Sequence, residues 1–189
     1  MILRAVLLLL AIWSGSGAAA APERYRLDGS ASRIEFLFDL DGSVFAGRVP
    51  VRQAEVLVDF ADLAASRVTV VLDVAAVSSD VGLITAALKE VSVLDTGRHP
   101  QAVFVSRRVI PRGAGAARLE GDLTLKGVTL PVALDGAIFR RRGSDPGDLS
   151  DLVLIFEGSL SRSAFGAGGY GALVADEVGL RVLVAIVRE

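Results

Sequence analysis

Few side chains in this sequence can take up a proton, attack a bond or hold a metal, and their spacing is poor for any of these tasks. His99 is the single histidine and cysteine is absent, so there is no thiol nucleophile, no thiolate metal ligand and no disulfide framework. His99 stands between Arg98 and Pro100. An imidazole with neither a second histidine nor a cysteine makes a poor metal site, and a turn role fits it better. A nucleophilic serine needs a base, and no Gly-x-Ser-x-Gly elbow is present to bring one. Asp39 with Asp41, Asp59 with Asp62, and Asp176 with Glu177 are carboxylate pairs with the chemistry for acid–base work. Each falls at a turn or on the polar face of an alternating segment, where a solvated carboxylate is ordinary. The glycines from Gly166 to Gly171 lack the lysine and the following helix of a phosphate cradle. Arg162 stands apart. It heads that glycine-rich loop, and its five donors suit either a polar head group or loop carbonyls. Arg140, Arg141 and Arg142 share a loop with acidic residues and read as a solvated hairpin tip that can also touch anionic lipid. The sequence predicts a non-enzyme without a catalytic cofactor.

The elements that would position these groups alternate with period two almost throughout. Ile34, Phe36, Phe38 and Leu40 face one way while Arg33, Glu35 and Asp39 face the other, the pattern of a half-buried strand. The pattern returns at Ala54, Val56, Val58 and Phe60, at Val68 to Val74, at Ala102, Phe104 and Ser106, and at Leu119, Gly121, Leu123 and Leu125. After a tight turn at Lys126-Gly127 come Val132, Leu134, Gly136 and Ile138, then Phe156, Gly158 and Leu160, then Val178 to Ile186. With residues 43–49 added, and two candidates counted as one bent strand, about eight strands result. Only residues 81–91 break the rhythm, with Ile84, Ala87, Leu88 and Val91 at helical spacing. An antiparallel sheet with one apolar face must close or meet a second sheet. Glycines inside strands, at Gly47, Gly121, Gly136, Gly158 and Gly179, favour closure because they let strands coil sharply. The expectation is an all-β, closed or nearly closed antiparallel barrel with one short inserted helix, a sandwich being the alternative.

The ends and the charge place the chain. Arg4, the apolar run from Ala5 to Trp13 and small residues from Ser14 to Ala21 read as an export signal over residues 1–20. The run is shorter than the roughly 20 residues a membrane-spanning helix needs. Residues 21–189 then form one domain, placed in the periplasm or otherwise secreted. The net charge is −2, and loss of Arg4 with the leader makes it one unit more acidic, which argues against nucleic acid as a partner, since phosphate binding needs clustered Lys and Arg.

Four segments, in register, resemble the YceI-like family. Residues 121–132, Gly-Asp-Leu-Thr-Leu-Lys-Gly-Val-Thr-Leu-Pro-Val, are similar to its most recognisable hairpin. Residues 94–104, from Leu94-Asp95 through His99-Pro100 to Phe104, resemble its turn into a strand, and 161–166, Ser-Arg-Ser-Ala-Phe-Gly, its arginine loop. Asp176-Glu177-Val178-Gly179-Leu180 is similar to the segment that follows. The resemblance implies a lipocalin-like barrel whose interior holds a long apolar ligand, an isoprenoid lipid or a quinone. This chain departs from the family with Asp39 and Asp41-Gly42-Ser43 in place of a histidine and Gly-Phe-Ser, and with Ala164 and Ala167 in the arginine loop. All of these departures are expected near the cavity rim. On this reading Phe36, Phe38, Val58, Phe104, Leu123, Leu125, Leu134, Phe156 and Val182 line one continuous interior. Phe45 and Phe165 close it near the loops, Phe165 as a lid, and Arg162 either holds a head group or satisfies loop carbonyls. The partners are an apolar small molecule and, transiently, a membrane or membrane protein. The alternative is a barrel filled by its own side chains that acts as an interaction or stress-protective module.

Overall fold

The computed structural model describes residues 22–189 apart from 114, 142 and 146; the leader expected over residues 1–20 lies outside the described residues. The strands are β1 (Glu23–Leu40), β2 (Ser43–Arg48), β3 (Val51–Val58), β4 (Arg67–Asp73), β5 (Ser78–Ser79), β6 (Gln101–Pro111), β7 (Ala116–Leu125), β8 (Val128–Arg140), β9 (Asp151–Ser161) and β10 (Val174–Arg188). The helix α1 (Gly82–Lys89) lies between β5 and β6, where the helical spacing predicted it.

All pairings are antiparallel, and the order β10-β9-β8-β7-β6-β4-β3-β1 is closed by β1 against β10, leaving β2 and β5 as additions at one end. The barrel predicted from period two is therefore the fold. Closure rests mainly on β1, whose first residues pair with β3, whose last pair with β2, and whose other edge runs along β10 from Tyr25↔Arg188 to Leu40↔Val174. β2 and β3 follow one path along β1. They are interrupted at Val49-Pro50, where proline has no N–H for a ladder, but Val49 still donates to Ile34 O at 3.1 Å. Extra residues of β1 bulge out between Asp28 and Arg33. Ser32 stitches the bulge, donating to Asp28 O at 2.6 Å and accepting from the Ala185 amide at 3.1 Å.

Two turns carry positive φ at both central residues, Asp41-Gly42 between β1 and β2, and Lys126-Gly127 between β7 and β8. Such turns match the twist of the strands they join. They lie at the same end of the barrel as α1 and the loop from β9 to β10. The chain termini, the segment from β3 to β4 and the loop from β8 to β9 lie at the other end.

Strand glycines make room for rings. A Cβ on Gly47 would stand 2.0 Å from the Phe36 ring, one on Gly121 2.5 Å from that of Phe104, and one on Gly136 2.5 Å from that of Phe156. Each aromatic side chain leans over a neighbouring strand's glycine and fills the space a side chain would take. Phe104, Leu119, Leu134, Phe156 and Phe165 belong to one packed cluster, with Val182 against it. Tyr25, Val56, Val58, Leu152 and Ile186 form a second, toward the termini. Together the two clusters pack the interior between the two ends of the barrel.

Candidate ligand-binding site

One hollow lies at the end of the barrel roofed by α1. It has a volume of about 380 Å³, within the range of small-molecule pockets. Its wall is built from the inward faces of strands: Ile34, Phe36, Phe38 and Leu40 of β1, Leu72 of β4, Ala102 of β6, Leu123 and Leu125 of β7, Leu160 of β9, and Val178 and Leu180 of β10. Alternation alone places these side chains inside. The roof is Leu83, Ile84, Ala87 and Leu88 of α1, with Tyr170 and Leu173 from the loop after β9 and Val174 at the start of β10. Leu83 is 84 % exposed and Leu173 is 54 % exposed although both line the cavity. Side chains that are both exposed and cavity-lining mark its mouth.

The roof is clasped. Tyr170 donates its phenol to Glu90 at 2.8 Å, Gly169 N–H donates to Ser92 O at 2.8 Å, and Lys126 Nζ donates to both Val91 O and Gly166 O. Glu90 beside the Tyr170 hydroxyl holds that phenol above its ordinary range, since the carboxylate accepts a bond that only the neutral phenol can give. Leu173 O accepts from the Asp41 amide at 2.9 Å, tying the hairpin from β1 to β2 into the same rim.

Arg162 is 8 % exposed and lines the cavity, but its donors go to the loop. Nε reaches Ala175 O at 2.9 Å, Nη1 reaches Ala167 O at 2.6 Å and Gly169 O at 2.7 Å, and Nη2 reaches Val174 O at 2.8 Å. Of the two roles read for it, the loop-carbonyl role is the one the geometry displays. Of the other residues predicted to line the site, Phe36, Phe38, Leu123 and Leu125 do so. Phe45 stacks on Phe38 with ring centroids 6.1 Å apart without itself lining the cavity. Phe104, Leu134, Phe156 and Val182 point inward but lie in or against the packed cluster, and Val58 lies in the second one. The single continuous lined interior is corrected to a cavity at one end, because Phe104 and Phe156, seated over glycines, and the second cluster occupy the space beneath it. Phe165, expected as a lid, is 2 % exposed and packs in the core. The short helical turn Ser163–Phe165 directs it down into the barrel.

The carboxylate pairs hold turns. Asp39 accepts from the Gly42 amide at 2.8 Å, Asp59 from the amides of Ala61 and Asp62 at 2.9 Å, and Asp176 from the Ser163 amide at 2.9 Å. His99 lies against the turn after β7, 3.2 Å from where a Cβ on Gly127 would be. Periodicity missed the roof residues of α1 and Leu173 because an exposed apolar residue on a helix or loop looks like ordinary surface. Helical spacing in residues 81–91 was the one available signal.

Residues 25–186 match the YceI-like domain. The chain belongs to the YceI-like family. A UPF0312 protein of Vibrio campbellii is 32 % identical over 140 residues, spanning 74 % of each chain. A UPF0312 protein of Ectopseudomonas mendocina is 38 % identical over 88 residues, 47 % of this chain and 46 % of its own. Among solved structures the fold is similar to Burkholderia cenocepacia BcnA, with a TM-score of 0.75 at 22 % identity over 85 % of this chain and 99 % of that one. It is also similar to a polyisoprenoid binding domain from Saccharophagus degradans, with a TM-score of 0.65 at 11 % identity over 88 % and 99 %.

Proposed function

We propose that this YceI-like protein is a carrier or reservoir for an apolar chain, an isoprenoid lipid or quinone tail, held in the cavity under α1, and that it is not an enzyme. The observation that carries this reading is the cavity wall. It is apolar side chains almost throughout, and its buried cation, Arg162, is already engaged by four carbonyl bonds. Such a wall offers a chain about 25 cal/mol per Å² of apolar surface removed from water, and its lining carboxylate, Glu35, is paired with Arg33 and Arg48. The binding named for the Saccharophagus degradans domain supports the same reading. Export to the periplasm, one domain over residues 21–189, and loading from a membrane through the apolar mouth at Leu83 and Leu173 belong to this proposal.

Native mass spectrometry of the protein purified from its own host tests it. A near-stoichiometric apolar adduct that organic extraction removes, and that returns on adding the extract, is the expected result. A clean apo mass, unchanged by the extract, would favour the filled-barrel module instead.

A further inference from the structure

The cavity's polarity selects an apolar guest, and its depth limits how much of that guest it can take. We infer that the cavity accommodates a short chain of roughly a dozen to two dozen carbon atoms, taking a carbon to need between half and all of a water molecule's liquid volume, and that the remainder of any longer chain stays outside the mouth. This inference rests on the carrier reading above. The volume of about 380 Å³ sets the limit, and the floor keeps it there.

The floor is fixed by how its rings are seated. Ala102 and Leu123 of the wall belong to the same packed cluster as Phe104, Leu134 and Phe156. The Phe104 ring occupies the notch over Gly121 and the Phe156 ring the notch over Gly136, each 2.5 Å from the absent Cβ. A ring swung aside to deepen the cavity would leave its notch empty, and close-packed interiors resist such voids. Beneath them lies the second cluster, with Tyr25, Ile186 and a fully inaccessible Leu152. The hollow at the far end, about 660 Å³ beside Phe60, Phe139 and Arg141, shares no lining residue with the cavity, and Leu152 of the second cluster lines it. Surplus chain lies across Leu83, Tyr170 and Leu173 at the mouth.

Each buried methylene is worth roughly threefold to fourfold in binding, so affinity must climb with chain length until the cavity is full. The test is displacement of a fluorescent apolar probe from the delipidated protein by geraniol, farnesol, geranylgeraniol and solanesol, each delivered from cyclodextrin. Affinity is expected to rise steeply through the first members and to be flat, within about threefold, between geranylgeraniol and solanesol. In Leu180→Trp, which puts bulk into the cavity from its wall, the plateau should begin one isoprene unit earlier. A rise that continues at the same slope to solanesol overturns the length limit and leaves the carrier reading standing. Failure of every alcohol to displace the probe overturns the carrier reading and the limit with it.

Discussion

Arg162 and Phe165 sit three residues apart in one loop and show what a buried side chain there is for. A guanidinium within hydrogen-bond reach of four carbonyls replaces the water those oxygens lost when the loop folded down. Arg162→Met keeps much of the apolar stem and leaves the carbonyls unpaired, at about 1–3 kcal/mol for each group left without a partner. The thermal midpoint should fall by many degrees, and apolar-probe binding should weaken because Gly169 and Val174 line the mouth side of the same loop. An unchanged midpoint in calorimetry would show that these bonds contribute nothing net. Phe165→Ala should cost about 3–5 kcal/mol as a large-to-small core change, measured by urea unfolding of lipid-free protein. A loss below about 1 kcal/mol, with faster ligand release, would return Phe165 to the lid role the sequence suggested. That role was inferred from glycine neighbours, and nothing in a glycine-rich loop's composition says whether its aromatic residue points out or in.

The strands depend on glycines that differ in what stands over them. A Cβ on Gly136 would lie 2.1 Å from the Ile155 carbonyl oxygen, part of the neighbouring backbone, whereas one on Gly47 meets only the far end of the Phe36 ring. Gly136→Ala should therefore destabilise the barrel by several kcal/mol, on the order of an overpacked core, as read by urea unfolding. Gly47→Ala should cost less, since the ring can swing into the cavity that Phe36 already lines, but probe affinity should then drop. Equal stability losses with unchanged affinity in both would contradict this account. Among the turns, Asp176 ties the start of β10 to the loop after β9. Its hydrogen bonds from Ser161 and Ser163 hold its carboxyl below the ordinary carboxylate range. A depressed folded-state value means the tie stabilises above the ordinary carboxylate pKa of about 3.9 and is lost as pH falls through the depressed value. Asp176→Asn should flatten that acid limb of the stability curve and leave neutral-to-alkaline behaviour parallel to the parent. The strands were legible because half-burial imposes period two on every one of them, and the glycines announced closure. Which inward residues meet a ligand was not legible, because a ring seated over a glycine and a ring facing a cavity follow the same alternation.

At the scale of the whole molecule the barrel is divided: packed clusters in its middle and toward the chain termini supply stability, and a hollow under α1 and the loop after β9 is left open to a guest. Closed barrels of eight strands have just enough room for either outcome, and here the glycine–aromatic pairs decide how that room is shared. The division makes the central claim spatial, so labelling can test it directly. A prenyl alcohol carrying a terminal diazirine, photolysed in the delipidated protein and mapped by peptide mass spectrometry, should mark residues 34–40, 123–125 and 178–180, and excess geranylgeraniol should suppress the labelling. Labelling that falls on the outer wall or on residues 139–141 and 149–152 at the far end, and that geranylgeraniol does not suppress, would contradict it.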